Sequence, residues 1–584
     1  MAPMSAPSPT PFAARRDAVA LLLLLLAVAG VWLAATGRWR AEAWRTPLAY
    51  SGDALYYLAM AETSAASGAL PFLWKEAPRL NAPHGADWND FPIVNEPVWS
   101  LLGISRRLFG IAGATLWPAL LAHLLAALGF YLAARWRGSG RPASAVLALV
   151  FALSPYIFRR GFIHLNLAFA WHLPLAVLVG LWAAEEEGLA KRKRGLVAIA
   201  TAVFCGFQAT YYALFFLLLL AGALAAQALA GRWRAMTRPA LLGVLTVALA
   251  AAGNLDSLTW SWEHGKNPAA VERSLPEVEA YSLKPVELLL PRGRFAPWLG
   301  AAADRFYYSQ VQRNPESGSA YLGVVGAAAL LFLLAATLAA LLVPERRRPP
   351  PEAWPAIVGF LFAISGGVGT AVAIAGVHVF RAGIRVSILL LAVALLYAAR
   401  VISGWRPRRQ FAALALIAVV ALFDQLPRRN LAAEAFEKTL YDGDARMAAE
   451  LEAAIPGGAI FQLPLAEYPE GKPVGPLEPY ELLRFYVHSK TLRFSYGAHK
   501  GRGDDLWQRE ILELPWPEAL SRLRQLDFSA IAVYGRAYPD RGAALVAEIE
   551  AAGGGPTFSL APQAIRVILL PPAPPRTTSS ETQP

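Results

Sequence analysis

The stretch from Ala18 to Thr36 contains no charged side chain, and it constrains the chain more than any other feature. A helix of that length crosses the hydrocarbon of a bilayer, where every backbone polar group has to be satisfied internally. Comparable apolar runs recur near 113–134, 143–158, 165–184, 195–209, 211–230, 239–254, 320–343, 354–376, 384–401 and 411–425. A polytopic α-helical membrane protein of roughly eleven spans is therefore expected. Because so many spans follow it, the first run reads as a retained helix and not a cleaved leader. Charged residues make up only 16% of the chain, well below the quarter usual in soluble domains, so several soluble domains are excluded.

The basic residues set the topology. Arg15 and Arg16 precede the first run. Arg135, Arg137 and Arg141 follow, then Lys191, Arg192, Lys193 and Arg194, then Arg232, Arg234 and Arg238, then Arg346, Arg347 and Arg348, then Arg406, Arg408 and Arg409. With the N-terminus inside, every short basic loop falls on the inner side. That register places the long loops 37–112 and 255–319 outside, together with everything after about residue 426. The net charge of +12 is thus a membrane-topology signature, and nucleic acid is not expected as a partner. The lone Cys205 lies in an apolar run, which excludes an intramolecular disulfide and a cysteine zinc site.

The expected organisation is a disordered cytoplasmic segment 1–16, a membrane domain 17–425, an α/β domain 426–570 outside, and a disordered tail 571–584. In the α/β part, helices are expected over 431–455, 516–526 and 543–552. Strands are expected over 459–463, 530–534 and 566–570.

Candidate chemistry collects on the outer side. The first long loop reads Tyr50-Ser-Gly-Asp53-Ala-Leu-Tyr56-Tyr57 and continues to Asn81-Ala-Pro-His84-Gly-Ala-Asp87-Trp-Asn-Asp90. Asp53, shielded by Tyr56 and Tyr57, suits a general base or a metal ligand; a helix N-cap is the other reading of the same residues. His84, Asp87, Asp90 and Glu96 match no closed zinc spacing. Oxygen ligation of Mg²⁺ or Mn²⁺ by Asp87 and Asp90 is one reading, a solvated loop the other. Arg159, Arg160 and His164, then Arg381 and Arg385, break the rule that short outer loops lack arginine. Guanidinium groups there can grip a phosphate, or snorkel to lipid headgroups. Gln208, Tyr211, Tyr212, Asn254 and Asp256 add polar groups at the same depth. The loop 255–319 carries Trp260, Trp262, Glu263, His264, Lys266, Tyr307, Tyr308, Arg313 and Glu316, mostly suited to an interfacial belt. No phosphate-binding loop, dinucleotide fingerprint, zincin motif or nucleophile elbow occurs.

Four features together resemble the GT-C superfamily of membrane glycosyltransferases, and most of all its bacterial YfhO-type and related branches. They are Gly52-Asp53, the turn Asn81-Ala-Pro-His-Gly85, Phe151-Ala-Leu-Ser-Pro-Tyr156 with Gly161-Phe-Ile-His164, and Phe380-Arg-Ala-Gly-Ile-Arg385. The resemblance implies a multi-pass protein of the bacterial cytoplasmic membrane, in contact with membrane lipids. It implies a polyprenyl-phosphate sugar donor and a glycan, lipid or protein acceptor on the outer face. It also implies that Asp53 is the catalytic first-loop acid. The acid pair common in that loop, with one residue between, is replaced here by Asp87 and Asp90 with two between. The competing readings are a non-enzymatic translocase of lipid-linked glycans, and an envelope-assembly scaffold that kept the fold.

Overall fold

The computed structural model describes residues 14–67, 75–90, 96–270, 273–291, 295–311, 314, 316–343 and 348–571. The terminal segments 1–13 and 572–584, with Arg313, Arg346, Arg347 and the Glu96 side chain, lie outside the described residues. The chain is a bundle of apolar helices followed by a C-terminal α/β layer, as the patterning requires. The first helix starts earlier than expected, at Ala14, so Arg15 and Arg16 are helical.

Seven helical segments among the described residues are long and apolar enough to cross a membrane, fewer than the eleven expected. The other expected runs are helical too, but they fall short for physical reasons. Leu173–Ala183 and Ala353–Ala363 span only 11 residues each. Arg192–Gln208 opens on three basic residues, and Pro407–Gln425 carries Arg408, Arg409 and Asp424. The long helix Glu96–Trp136 is interrupted at Gly110, whose φ of 75° is open to glycine. That break separates a segment lying before the span from the span itself.

At the end of the bundle that carries the basic loops, these meet buried carboxylates. Asp17 bonds Arg135 at 2.8 Å and Arg141 at 3.2 Å, while Glu352 bonds Arg137 at 3.1 Å and Arg400 at 2.8 Å. A buried charge needs such a partner, so these pairs fix how the helices meet.

The C-terminal sheet has the order β4-β3-β5-β7-β6, with β3 Ala459–Leu463, β4 Arg493–Phe494, β5 Phe528–Tyr534, β6 Thr557–Leu560 and β7 Ile565–Leu569. Its β3 is parallel to β4 and β5, and β7 is antiparallel to its neighbours. A two-stranded piece in the first loop pairs β1 Glu76–Ala77 with β2 Ala86–Asp87. Side chains of β3 and β5 alternate between two cores. Phe461, Ile531 and Val533 pack under the domain's own helices, against Leu520 and Ile549. Ile460, Ala530 and Ala532 join the core that runs into the membrane bundle. Both faces are covered, which explains the unbroken apolar strands.

The first loop is stitched to this sheet through main chain. The Phe494 amide donates to the Arg79 carbonyl at 2.8 Å, and the Ala82 amide donates to the Phe494 carbonyl at 2.8 Å. The Asn81 amide donates to the Tyr496 carbonyl at 2.9 Å. Asp90 then clamps three segments. It accepts from Arg502 Nε at 2.5 Å and Nη2 at 2.6 Å, and from Asn267 Nδ2 at 3.0 Å. Asp90→Asn is expected to weaken this junction by about 1–2 kcal/mol after solvent screening of Arg502. A lower melting temperature and faster proteolysis near residue 267 are the expected readouts; unchanged melting would remove the clamp from the stability of the fold.

Candidate active site

The chain enters the site from Tyr50. Its buried hydroxyl donates to Asp444 Oδ2 at 2.8 Å and lies 3.0 Å from His488 Nε2, which pins the loop to the C-terminal domain. Gly52, at φ 50°, then turns the backbone so that Asp53 becomes the first residue of the helix Asp53–Ser67. Among the described residues the Asp53 carboxylate does not cap its own helix. Its Oδ2 lies 3.0 Å from His164 Nε2, and the side chain remains 43% exposed.

His164 closes the helix Pro155–Ile163, which Pro155 starts at its first turn. One turn earlier on the same face, Arg160 Nη1 lies 3.0 Å from His164 Nδ1. A guanidinium only donates, so Nδ1 must be the accepting, unprotonated nitrogen. The ring is then neutral, and its single N–H, on Nε2, donates to Asp53. The environment agrees. Burial pushes the His164 pKa below its ordinary value of 6.5, the Asp53 hydrogen bond opposes this, and the Arg160 charge adds to it.

Arg160 is fully buried, and its other nitrogen donates to Glu316 Oε2. Glu316 also accepts from Arg385, at 3.1 Å from Nε and 2.5 Å from Nη2. Burial would raise the Glu316 pKa, but Arg160 and Arg385 outweigh it and hold the carboxyl well below the usual range. The Arg385 guanidinium rests on the Tyr211 ring, 4.5 Å from its centroid, and keeps 16% of its side chain exposed. Tyr211 donates nothing to that cation; its hydroxyl accepts from the Ala382 amide at 3.0 Å. Gln208 and Tyr212 brace the segment after His164 through the carbonyls of Phe169 and Leu167.

The remaining expected residues divide. Tyr57 joins the site through a hydrogen bond to Asn166. Tyr56 instead packs 5.2 Å from the Tyr480 ring and 6.4 Å from Tyr468. Arg381 pairs with Glu277 at 2.8 Å and covers Tyr281, beside the bidentate pair of Arg273 and Glu470. Arg159 lies against Gly318. His84 stands by Trp507, 6.0 Å between ring centroids, in the loop that is stitched to the sheet. Of the expected pair Asp87 and Asp90, Arg502 and Asn267 hold Asp90, while Asp87 Oδ1 accepts the Asn89 amide at 2.7 Å. Among the described residues no group of three or more His, Cys, Asp or Glu is arranged to hold a metal ion.

Glu316 and Asn166 had no assigned role from sequence, although Glu316 lies in a long outer loop opposite two arginines. Removing Glu316 leaves two facing guanidinium groups uncompensated. Glu316→Ala is therefore expected to cost on the order of 3 kcal/mol. The apparent melting temperature should fall further than in Glu277→Ala, whose Arg381 partner is more exposed.

Comparison with protein-family profiles and with curated sequences finds no match. Solved structures do match. The mycobacterial arabinofuranosyltransferase AftD superimposes with a TM-score of 0.51 at 17% identity, over 97% of this chain. The chain spans 40% of the length of that protein. Looser alignments reach the Archaeoglobus fulgidus oligosaccharyltransferase AglB (TM-score 0.44, 13% identity, 94% of this chain and 74% of that one). They also reach ArnT from Cupriavidus metallidurans (TM-score 0.42, 16% identity, 95% and 98%). The fold of this chain is thus similar to that of the arabinofuranosyltransferase AftD.

Proposed function

We propose that the chain is an inverting glycosyltransferase that takes a sugar from a polyprenyl-phosphate donor on the outer face of the membrane. The observation that carries this reading is the relay Arg160–His164–Asp53. Donor counting makes His164 a neutral donor to one oxygen of Asp53. The other oxygen of that carboxylate is left to receive a proton. The likeness to an arabinofuranosyltransferase fold supports the sugar-transfer class.

In the proposed reaction an acceptor hydroxyl attacks the anomeric carbon of the donor. The acceptor O–H breaks and its proton passes to Asp53. A new glycosidic C–O bond forms as the bond from the anomeric carbon to the phosphate oxygen breaks. The electron pair leaves with the lipid phosphate. Arg385, partly exposed beside Tyr211, is placed to meet the charge that grows on that oxygen, with Arg160 buried behind it. Arg381 stands farther along the same loop as a second contact for donor or acceptor. The acceptor is a glycan, lipid or protein of the envelope, and the protein resides in a bacterial cytoplasmic membrane with its C-terminal domain outside.

Asp53→Asn keeps an oxygen to accept the His164 hydrogen bond but cannot take a proton. Transfer from a polyprenyl-phosphate sugar should fall about 10²- to 10⁴-fold with unchanged melting. Full activity in that variant would remove the general-base role and favour a translocase or scaffold. The pH profile supplies a second check. His164 must stay neutral, and its pKa lies below 6.5, so activity should be level through neutral pH and decline as the medium acidifies past that pKa. His164→Gln can accept from Arg160 and donate to Asp53 without titrating. It should retain activity and lose the His164 part of the acid limb; an identical limb would assign the titration elsewhere.

A further inference from the structure

A cavity of about 1100 Å³ opens where the first helix ends, walled by residues 35–51, by the end of the helix Pro155–Ile163, and by the start of the C-terminal region. Its lining includes Ser51, Arg159 and Ile163, neighbours of the relay residues Asp53, Arg160 and His164, and it is strongly basic. Six Lys or Arg side chains line it against three Glu. Arg38 is buried in its wall, and its hydrogen bonds go to main-chain carbonyls of Thr36, Thr46 and Pro47 at 2.9, 3.2 and 3.0 Å. Its buried Nε has no hydrogen-bond partner among the described residues. Carbonyls solvate a cation without neutralising it, so the charge persists inside the wall. Burial lowers the Arg38 pKa; Glu434 opposes this in part, and the Arg429 charge adds to it. Arg429 is spent on Glu434 at 2.5 Å, its guanidinium lying on Gly37, where any Cβ would collide with it. Arg40 and Arg428 are exposed at the cavity, and neither has a carboxylate partner among the described residues. Such a set of cations is complementary to an oxyanion that the chain itself does not supply.

The surroundings are those of a lipid. The first helix is little covered by the rest of the bundle, with Leu22, Leu23 and Leu26 all exposed. Trp39 is 71% exposed beside Arg40, and Leu431 is 65% exposed beside Arg428. Apolar side chains flanking a cationic cavity at the end of a span match the boundary between acyl chains and headgroups.

We infer that this cavity binds the phosphate of a membrane lipid, held by Arg38, Arg40 and Arg428, with the acyl chains running along the first helix. The site sits at the Asp53 end of the bundle, and it stands whether or not the chain transfers sugar. Arg159, next to Arg160 of the relay in sequence, is part of the lining of this cavity.

The test uses the full chain in detergent supplied with equal phosphatidylglycerol and phosphatidylcholine, with retained lipid counted by native mass spectrometry. Phosphatidylglycerol should be retained preferentially. The double variant Arg40→Gln/Arg428→Gln should lower its retention roughly tenfold, while Lys191→Gln/Lys193→Gln at the opposite end leaves it unchanged. Arg38→Gln should act in the same direction, and the exposed double variant guards against a folding defect from that buried change. Equal retention of both lipids, or retention unaffected by the double variant, overturns the inference. Added polyprenyl monophosphate that displaces phosphatidylglycerol assigns the site to a carrier lipid; failure to displace it assigns a bulk headgroup. Displacement by millimolar inorganic phosphate with no lipid retained makes the ligand free phosphate and overturns the lipid site. Asp53→Asn should bind lipid like the parent, so a failed transferase reading and a failed lipid site are distinguishable.

Discussion

The Asp53 end of the bundle depends on one carboxylate held between two guanidinium groups. Glu316 reaches from a long loop to Arg160 on one helix and Arg385 at the start of another. Neither arginine could remain charged and largely buried without it, and neither helix would otherwise have reason to meet at that point. Once Arg160 is fixed, its remaining nitrogen orients His164, and His164 orients Asp53. The order of the site is therefore electrostatic before it is catalytic. A loop anion sets a cation, the cation sets a tautomer, and the tautomer decides which carboxylate oxygen is left open.

Much of the architecture was legible because it is repetitive physics. Uncharged runs of membrane length, basic clusters at alternating ends, and apolar strands between helices each carry their own signal. The helices and strands expected over 431–570 appear within a residue or two of their expected bounds. The site was only partly legible. Arg159 and Arg160 are adjacent in sequence, yet successive helical residues point about 100° apart, so Arg160 joins the relay and Arg159 lines the basic cavity. Asp53 reads from sequence as a cap or as a base, and its 3.0 Å approach to His164 is not legible there. The placement of His84 was not legible from its neighbours, because main-chain bonds between residues 79–82 and the C-terminal sheet set its surroundings.

The difference in span number has a similar origin. Helices such as Leu173–Ala183 are too short to cross alone, but they are fully buried within the bundle. Burial in protein is as apolar as burial in lipid, so hydropathy cannot tell an inner helix from a complete span. In the C-terminal layer the same ambiguity worked in favour of recognition. Strands buried on both faces show a continuous apolar signal, and Gln462 is the exception that is fully satisfied, by Leu482, Tyr534 and Tyr496.

The stitch between residues 79–82 and β4 has a consequence for how such a chain is made. The open edge of the last sheet is covered by a strand-like segment that leaves the ribosome some four hundred residues earlier. That segment must wait, exposed and unpaired, while most of the bundle is inserted. Its partner arrives only near the end of synthesis. Completion of the sheet thus doubles as a checkpoint: a truncated chain would display an unsatisfied backbone ribbon on its surface, the kind of feature that quality-control proteases and chaperones recognise.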